Sequence, residues 1–366
     1  MKFIANSLEL SDALITVSKA ISGKSNIPIL EGVKISACGD EVTLSATDLE
    51  LFIETRIKAN VKIEGDTVVT GKLFTEFVKK LVEVEEIEIE KYSTSLVVRY
   101  NGNESEFQCM EDDTYPEIKT VSDENSFLVR ERDLKEAIEG VIFCVSTEET
   151  RPILKGCQIA VKGEEMTCAA LDGYRLGITK REIFNPTGDV SIVVLGKTLN
   201  EIVKVFDDRE EKVKVAVEKN YVMFDMGHTK IITRLLEGDF IQYEKILPQS
   251  RNTEIVVNKN ALEAGLDRAT IVAKNKKNYL KMKFESGKIE INSASEVGRI
   301  RETVDCKQEG KDIEIAFNSR YLFDAFNRIK EDFIKINLTS SNAPAVIIPV
   351  EGEKYVYLVL PLRMIG

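Results

Sequence analysis

Self-similarity at a long period constrains this chain more than any other feature. Residues 28–57 read PILEGVKISACGDEVTLSATDLELFIETRI, and residues 152–183 read PILKGCQIAVKGEEMTCAALDGYRLGITKREI. A degraded third copy, LKMKFESGKIEINSASEVGRIRETV, occupies residues 280–304. Pro28 and Pro152 stand 124 residues apart, as do Asp48 and Asp172. A second element recurs in phase: VVTGKLFTEFVKKL (68–81), VVLGKTLNEIVKVF (193–206) and IAFNSRYLFDAFNRI (315–329). A unit of roughly 120 residues is domain-sized, too large for a solenoid repeat. The reading is three diverged domains, residues 1–121, 122–249 and 250–366, with boundaries in the polar stretches Lys119–Asn125 and Pro248–Thr253.

Each copy shows one internal order. An amphipathic helix comes first, with Ser11 as candidate N-cap before Ala13, Leu14, Val17 and Ile21. Three alternating strands follow, then a second helix and further strands. In the first copy that second helix sets Leu73, Phe74, Phe77, Val78 and Leu81 on one side. First helices are expected near residues 11, 132 and 260 and second helices near 72, 197 and 319, so six similar half-units result. Residues 82–90, VEVEEIEIE, alternate apolar with acidic and read as a strand with one face inward and one face of carboxylates. The helices instead carry Lys19, Lys72, Lys79, Lys80, Lys135, Lys197, Lys204, Arg268, Arg320, Arg328 and Lys330. Lysines on a helix commonly serve only solubility. Their recurrence from copy to copy points to a basic face on a protein of net charge -11.

Composition narrows the classes: 43% hydrophobic and 30% charged residues with 8 Pro exclude wholesale disorder and fibres. No apolar run exceeds strand length, so no membrane span is expected. The N-terminal MKFIANSLELSDALITV interrupts its apolar run too early for a signal peptide, which implies a cytoplasmic protein. Cys38, Cys109, Cys144, Cys157, Cys168 and Cys306 form no C-x-x-C pair and read as reduced, mostly packed thiols. No metal and no cofactor is expected.

Enzymatic readings find little support. Gly196-Lys197-Thr198 resembles the end of a phosphate loop, but Ser191 stands where the first glycine is required. One histidine, His228, is expected in a turn and leaves no triad to assemble. Cys144 lacks a marked base, and Asp48 and Asp172 at equivalent positions read as turn residues. A nucleotide or nucleic-acid hydrolase, and a three-domain scaffold that never touches DNA, are the two alternatives.

Taken together, NIPILEGVKI, LSATDLELFIETRI, LDGYRLGITKREI, LLEGDFIQYEKILP and the terminal YVYLVLPLRM resemble the bacterial DNA polymerase III beta subunit family over the whole chain. Asp172-Gly173-Tyr174-Arg175-Leu176 and the near-terminal Pro-Leu-Arg are the most specific matches. The resemblance implies an α+β fold of three repeated clamp domains, each with antiparallel sheets outside and two helices inside, joined as a head-to-tail dimeric ring. It implies a non-catalytic processivity factor that encircles double-stranded DNA, slides without sequence specificity and tethers the replicative polymerase and other proteins. A clamp loader complex and a homodimer partner follow.

The family's DNA contacts carry over to Lys24, Lys72, Lys79, Arg151 and Lys197, although Glu148 and Pro152-Ile153 depart from the family pattern beside Arg151. Its partner-peptide pocket carries over to Leu154, Leu171, Gly173, Tyr174, Arg175, Leu176, Ile241, Lys245, Ile246, Pro344, Leu358, Val359, Leu360, Pro361, Leu362, Arg363 and Met364. Tyr174 replaces a common His, Ile241 a common Pro, and Ile365-Gly366 extend the usual end. Arg175, Lys245 and Arg363 would ring the apolar residues and suit short peptides ending in Leu and Phe. At the dimer interface the anchors match Phe107, Ile271 and Val272, with Lys274, Lys276 and Lys277 set against Glu104, Glu106, Glu111, Asp112 and Asp113.

Overall fold

The computed structural model describes the chain except for residues 22, 24, 25, 112, 113, 118, 119, 274–278 and 364–366. The first copy runs β1 (Lys2–Asn6), α1 (Ser7–Val17), β2 (Gly32–Cys38), β3 (Glu41–Thr47), β4 (Leu51–Lys58), β5 (Asn60–Ile63), β6 (Gly65–Thr70), α2 (Gly71–Val78), β7 (Glu86–Tyr92), β8 (Ser95–Tyr100) and β9 (Asn103–Met110). The second runs β10 (Ser126–Arg130), α3 (Glu131–Glu139), β11 (Gly156–Lys162), β12 (Glu165–Leu171), β13 (Arg175–Glu182), β14 (Val190–Leu195), α4 (Gly196–Ile202), β15 (Lys212–Glu218), β16 (Tyr221–Asp225) and β17 (Thr229–Arg234). The third runs β18 (Thr253–Asn258), α5 (Lys259–Ala273), β19 (Tyr279–Glu285), β20 (Lys288–Ser295), β21 (Gly298–Gly310), β22 (Ile313–Asn318), α6 (Ser319–Phe326), β23 (Phe333–Leu338), β24 (Ala345–Pro349) and β25 (Tyr355–Val359). Two helices per copy, one near each expected start, follow the sequence period.

Contacts gather the chain into two compact units, residues 1–132, 183–188 and 200–235, and residues 133–182, 189–199 and 236–366. The first holds a 13-stranded sheet in the order β10-β15-β16-β17-β4-β3-β2-β6-β9-β8-β7-β1-β5. The second holds a 12-stranded sheet, β14-β11-β12-β13-β25-β24-β23-β18-β21-β20-β19-β22. Each sheet therefore runs across a junction between copies. At the first junction β17 pairs antiparallel with β4, Ile232 opposite Phe52 and Lys230 opposite Glu54. At the second, β25 pairs with β13, Leu358 opposite Leu176 and Val356 opposite Ile178. In both, the last strand of one copy joins the strand that opens after the Asp48 or Asp172 turn of the copy before it.

Two local expectations are corrected. Ser11 is not the N-cap: α1 begins a turn earlier, Asn6 Oδ1 accepts from the Leu8 and Glu9 amides at 3.0 and 3.1 Å, and Ser11 is buried inside the helix. The helix also ends at Val17, before Ile21. The strand expected over residues 82–90 begins only at Glu86. Ser7 explains this, because its hydroxyl donates to the Val84 carbonyl and its amide to the Glu85 carbonyl, holding residues 82–85 as a turn against the head of α1. From Glu86 onward the alternation holds, with Ile87 and Ile89 fully buried. The outward carboxylates are not bare: Lys2 lies 3.1 Å from both Glu88 and Glu90, and Arg99 lies 2.9 and 2.7 Å from them. Hydrogen bonds from Tyr92 and Arg99 hold the Glu90 carboxyl down at about 2.

Equivalent glycines show how closely the copies repeat. A Cβ on Gly32 would stand 2.4 Å from Val68 and 3.0 Å from the Met110 sulfur; one on Gly156 would stand 2.4 Å from Val193 and 2.8 Å from Leu236. Met110 and Leu236 are therefore counterparts.

Candidate functional site

Strand alternation builds an apolar cluster on the face of the second junction that carries Leu176 and Leu358. Leu154, Leu171, Leu176 and Leu358 are buried in it together with Ala169, Ile178, Val193, Phe240 and Tyr243, and Ile241 and Leu360 pack at its margin. Six of the residues expected in the peptide pocket thus meet in one place. Phe240 and Tyr243 were not anticipated, although FIQYEKIL places apolar residues around Ile241 and the spacing of Phe240 and Tyr243 was the available signal. Their rings meet edge-on at 6.5 Å, and burial pushes the Tyr243 phenol up to about 12.

The same alternation sends other expected residues elsewhere. Val359 is buried in the core cluster on the opposite face of β25. The Arg175 guanidinium lies against Phe143 and Tyr321, which pack on that core cluster. Its Nε donates to Asp172 at 3.0 Å, it pairs with Asp324 of α6, and its guanidinium stacks 4.8 Å from the Tyr321 ring and 5.3 Å from that of Phe143. With 11% of its side chain exposed, it acts as a strut. Nothing near it in sequence announces Asp324, which is 149 residues away.

Gly173 and Tyr174 form the adjoining turn. Asp172 Oδ1 accepts from the Tyr174 and Arg175 amides at 2.9 and 3.0 Å, Gly173 sits at φ +89°, and Tyr174, half exposed, stacks on Tyr321 with centroids 6.1 Å apart. Asp48 builds the same turn, accepting from Glu50 and Leu51 at 3.0 and 2.7 Å. Both aspartates serve turn geometry, as expected.

Lys245 and Ile246 are exposed at a short 3-10 turn following Tyr243. Beyond β25 the Leu360 amide donates to the Tyr174 carbonyl at 2.9 Å, and the Leu362 amide to that of Ala316 at 2.8 Å. Pro361, Leu362 and Arg363 line a separate open cavity of about 660 Å³ with Ser341 and Asn342, while Pro344 is half-buried just before β24. Met364 lies outside the described residues.

Of the expected DNA contacts, Lys72 and Lys79 are exposed in the first turn and at the C-cap of α2, seven residues and so about two turns apart on one side. Arg151 and Lys197 are exposed before the Pro152–Lys155 turn and in the first turn of α4. The Lys155 carbonyl lies 3.0 Å from where a Gly196 Cβ would stand, so that turn abuts the opening of α4. Lys24 lies outside the described residues. Of the other cations expected on helices, Arg268 of α5 pairs with Glu302, while Lys204 and Lys330 lie past the ends of α4 and α6 and pair with Glu201 and Glu136, each at 2.7 Å. Lys19 is half-buried, and burial lowers its pKa.

Phe107, on β9, packs its ring 5.4 Å from Phe74 and 4.8 Å from Phe77 of α2. Ile271, on the last turn of α5, is 65% exposed, which ordinary core burial does not explain, and Val272 is half-buried. Lys274, Lys276, Lys277, Asp112 and Asp113 lie outside the described residues.

No enzymatic constellation takes shape among the described residues. Cys144 is buried, and burial drives its thiol pKa well up, away from nucleophilic thiolate. His228 lies in the turn between β16 and β17. Among the described residues no three His, Cys, Asp or Glu side chains gather as metal ligands, and no helix is long and apolar enough to cross a membrane.

Three family models match in series: the N-terminal domain of the DNA polymerase III beta subunit over residues 1–119, its central domain over 128–242 and its C-terminal domain over 244–363. The beta sliding clamp of Bacillus subtilis (strain 168) is 32% identical over 378 residues, covering 99% of this chain and 100% of the relative. That of Halalkalibacterium halodurans is 32% identical over 364 residues, 95% of each. Among solved structures, the DNA polymerase sliding clamp from Bacillus subtilis superposes with a TM-score of 0.95 at 30% identity, and the beta subunit from DNA polymerase of Streptococcus pyogenes with 0.95 at 28%, each covering 100% of both chains. A triplicated architecture with a turn-held apolar junction and exposed helix lysines, matched along its whole length, makes this chain a member of the DNA polymerase III beta subunit family, the bacterial beta sliding clamps.

Proposed function

We propose that two copies of this chain close head to tail into a ring around double-stranded DNA and act inside the cell as a processivity clamp for replication. One observation supports the reading: the chain makes the same strand junction twice and, among the described residues, leaves the equivalent two strand edges each with one partner strand. β17 joins β4 and β25 joins β13, whereas β9, the last strand of the first copy, pairs over residues 103–108 with β8 alone among the described residues. β21, the counterpart of β4 and β13, pairs over residues 298–305 with β20 alone among the described residues. Open edges of this kind invite another chain. A heterologous contact between β9 of one copy and β21 of the next either closes or runs on as a filament, and six similar domains favour closure.

Lys24, Lys72, Lys79, Arg151 and Lys197 then supply phosphate contacts that carry no sequence information, so the ring slides. The apolar cluster at β13 and β25 receives short apolar-aromatic peptides of the replicative polymerase, the clamp loader and other partners in turn. The test is retention on a nicked circular plasmid after loading, followed by linearisation of the plasmid. A clamp is expected to be retained on the circle and to leave the linear form; retention on the linear form would identify ordinary basic-patch binding.

A further inference from the structure

The internal junctions also give the register of the third, a step that rests on the ring reading above. Met110 and Leu236 occupy the same place against their glycines, so Glu106 is the counterpart of Ile232, and Glu104 of Lys230. The hairpin partners Thr47–Phe52 and Ala294–Arg299 align the other side, making Arg299 the counterpart of Phe52 and Arg301 that of Glu54. Transferring the observed pairs Ile232–Phe52 and Lys230–Glu54, we propose that a second copy of this chain docks with Glu106 opposite Arg299 and Glu104 opposite Arg301.

Chemistry independent of the alignment agrees. All four side chains are exposed and alternate with the half-buried Ser105, Phe107 and Ile300. On the first copy's outer face charges alternate strand by strand: Lys2, then Glu88 and Glu90, then Arg99, then Glu104, which Arg99 Nε meets at 2.7 Å. On the third copy Arg301 pairs with Glu290, and Lys283 stands opposite both Glu290 and Glu314. One row ends in an acid and the other in a base, so the register joins them without breaking the alternation. The same register sets Phe107 beside Gly298, where a Cβ would meet nothing within 4 Å. At the two junctions inside the chain the positions of Glu106 and Arg299 hold the apolar pairs Ile232–Phe52 and Leu358–Leu176. Charge at the third suits edges that stand in water until two copies meet and that must reject any neighbour of the wrong sign.

Charge reversal with matched rescue is the test, read as the dimer Kd by sedimentation at low and high salt. Glu104→Arg is expected to weaken the dimer at least about tenfold at low salt and less at high salt. Arg301→Glu in the same chain should restore it, and Arg299→Glu should not; Glu106→Arg should be restored by Arg299→Glu alone. Rescue by the other arginine, or no weakening on reversal, overturns the register. An unaltered chain that stays monomeric overturns the ring reading itself, so the two failures are distinguishable.

Discussion

The two junctions inside the chain share strands, register and turn, and differ in what lies on their outer face. At the first, Phe52, Ala216, Met223 and Ile232 form a small buried group with Val121 and Tyr221 at its edge. At the second, the equivalent Leu176 and Leu358 lie in a larger cluster that also takes in Phe240 and Tyr243 from the segment after β17 and Leu360 from the tail. Backbone pairing repeats because it needs only alternation and a turn; the side chains on its outer face are free to diverge. A larger apolar cluster arises at one junction and a smaller one at the other from the same scaffold.

The largest expected effects come from emptying the two faces in turn. Leu176→Ala should cost about 2–5 kcal/mol of stability and abolish capture of a Leu/Phe-ended peptide, measured by denaturant titration and by fluorescence polarisation. Phe52→Ala should cost a similar amount, about 3–5 kcal/mol, with peptide capture unchanged. Equal impairment of capture in both would erase the distinction between the junctions.

Arg175 sharpens the contrast, since its counterpart is the buried Leu51. Arg175→Ala removes the partner of Asp172 and Asp324 and should cost about 1–3 kcal/mol. The Asp172→Asn, Asp324→Asn background should shrink that cost, and an undiminished cost would contradict the strut.

A smaller effect separates the two turns. Leu49 adopts φ +78° where Gly173 adopts +89°. Leu49→Gly should therefore stabilise, or cost nothing, within about 1 kcal/mol, whereas Gly173→Ala should destabilise by about 1 kcal/mol. In thermal unfolding the expected result is a gain or no change for Leu49→Gly and a loss for Gly173→Ala.

The least effect per side chain belongs to the helix lysines. Neutralising Lys72, Lys79 and Lys197 together should flatten the plot of log affinity against log salt by about 0.9 for each phosphate that is no longer neutralised, with dimer mass unchanged. An unaltered slope would reject those three lysines as phosphate ligands.

The repeats made the architecture legible: six helices near their expected starts, and turns at Asp48 and Asp172. Local signals failed where distant residues decided. Ser11 has an N-cap side chain but not the helix start, because Ser7 and Asn6 tie the chain to residues 84 and 85 and to the first amides of α1. The family motif named Leu154, Leu171 and Leu358 together, and the structure buries all three in one apolar cluster. The direction in which Arg175 faces was not legible, because strand parity and Asp324, both set by tertiary structure, decide it. Phe240 and Tyr243 sit within FIQYEKIL, but only the fold shows that a loop can carry core residues.

The claim that this chain supplies both halves of the missing junction is tested most directly by its mass in solution, by light scattering across a dilution series. The account predicts a species of twice the 41.1 kDa chain mass that persists until the dimer dissociates at high dilution. A monomer at every concentration, or a mass that climbs without limit as in a filament, would contradict it.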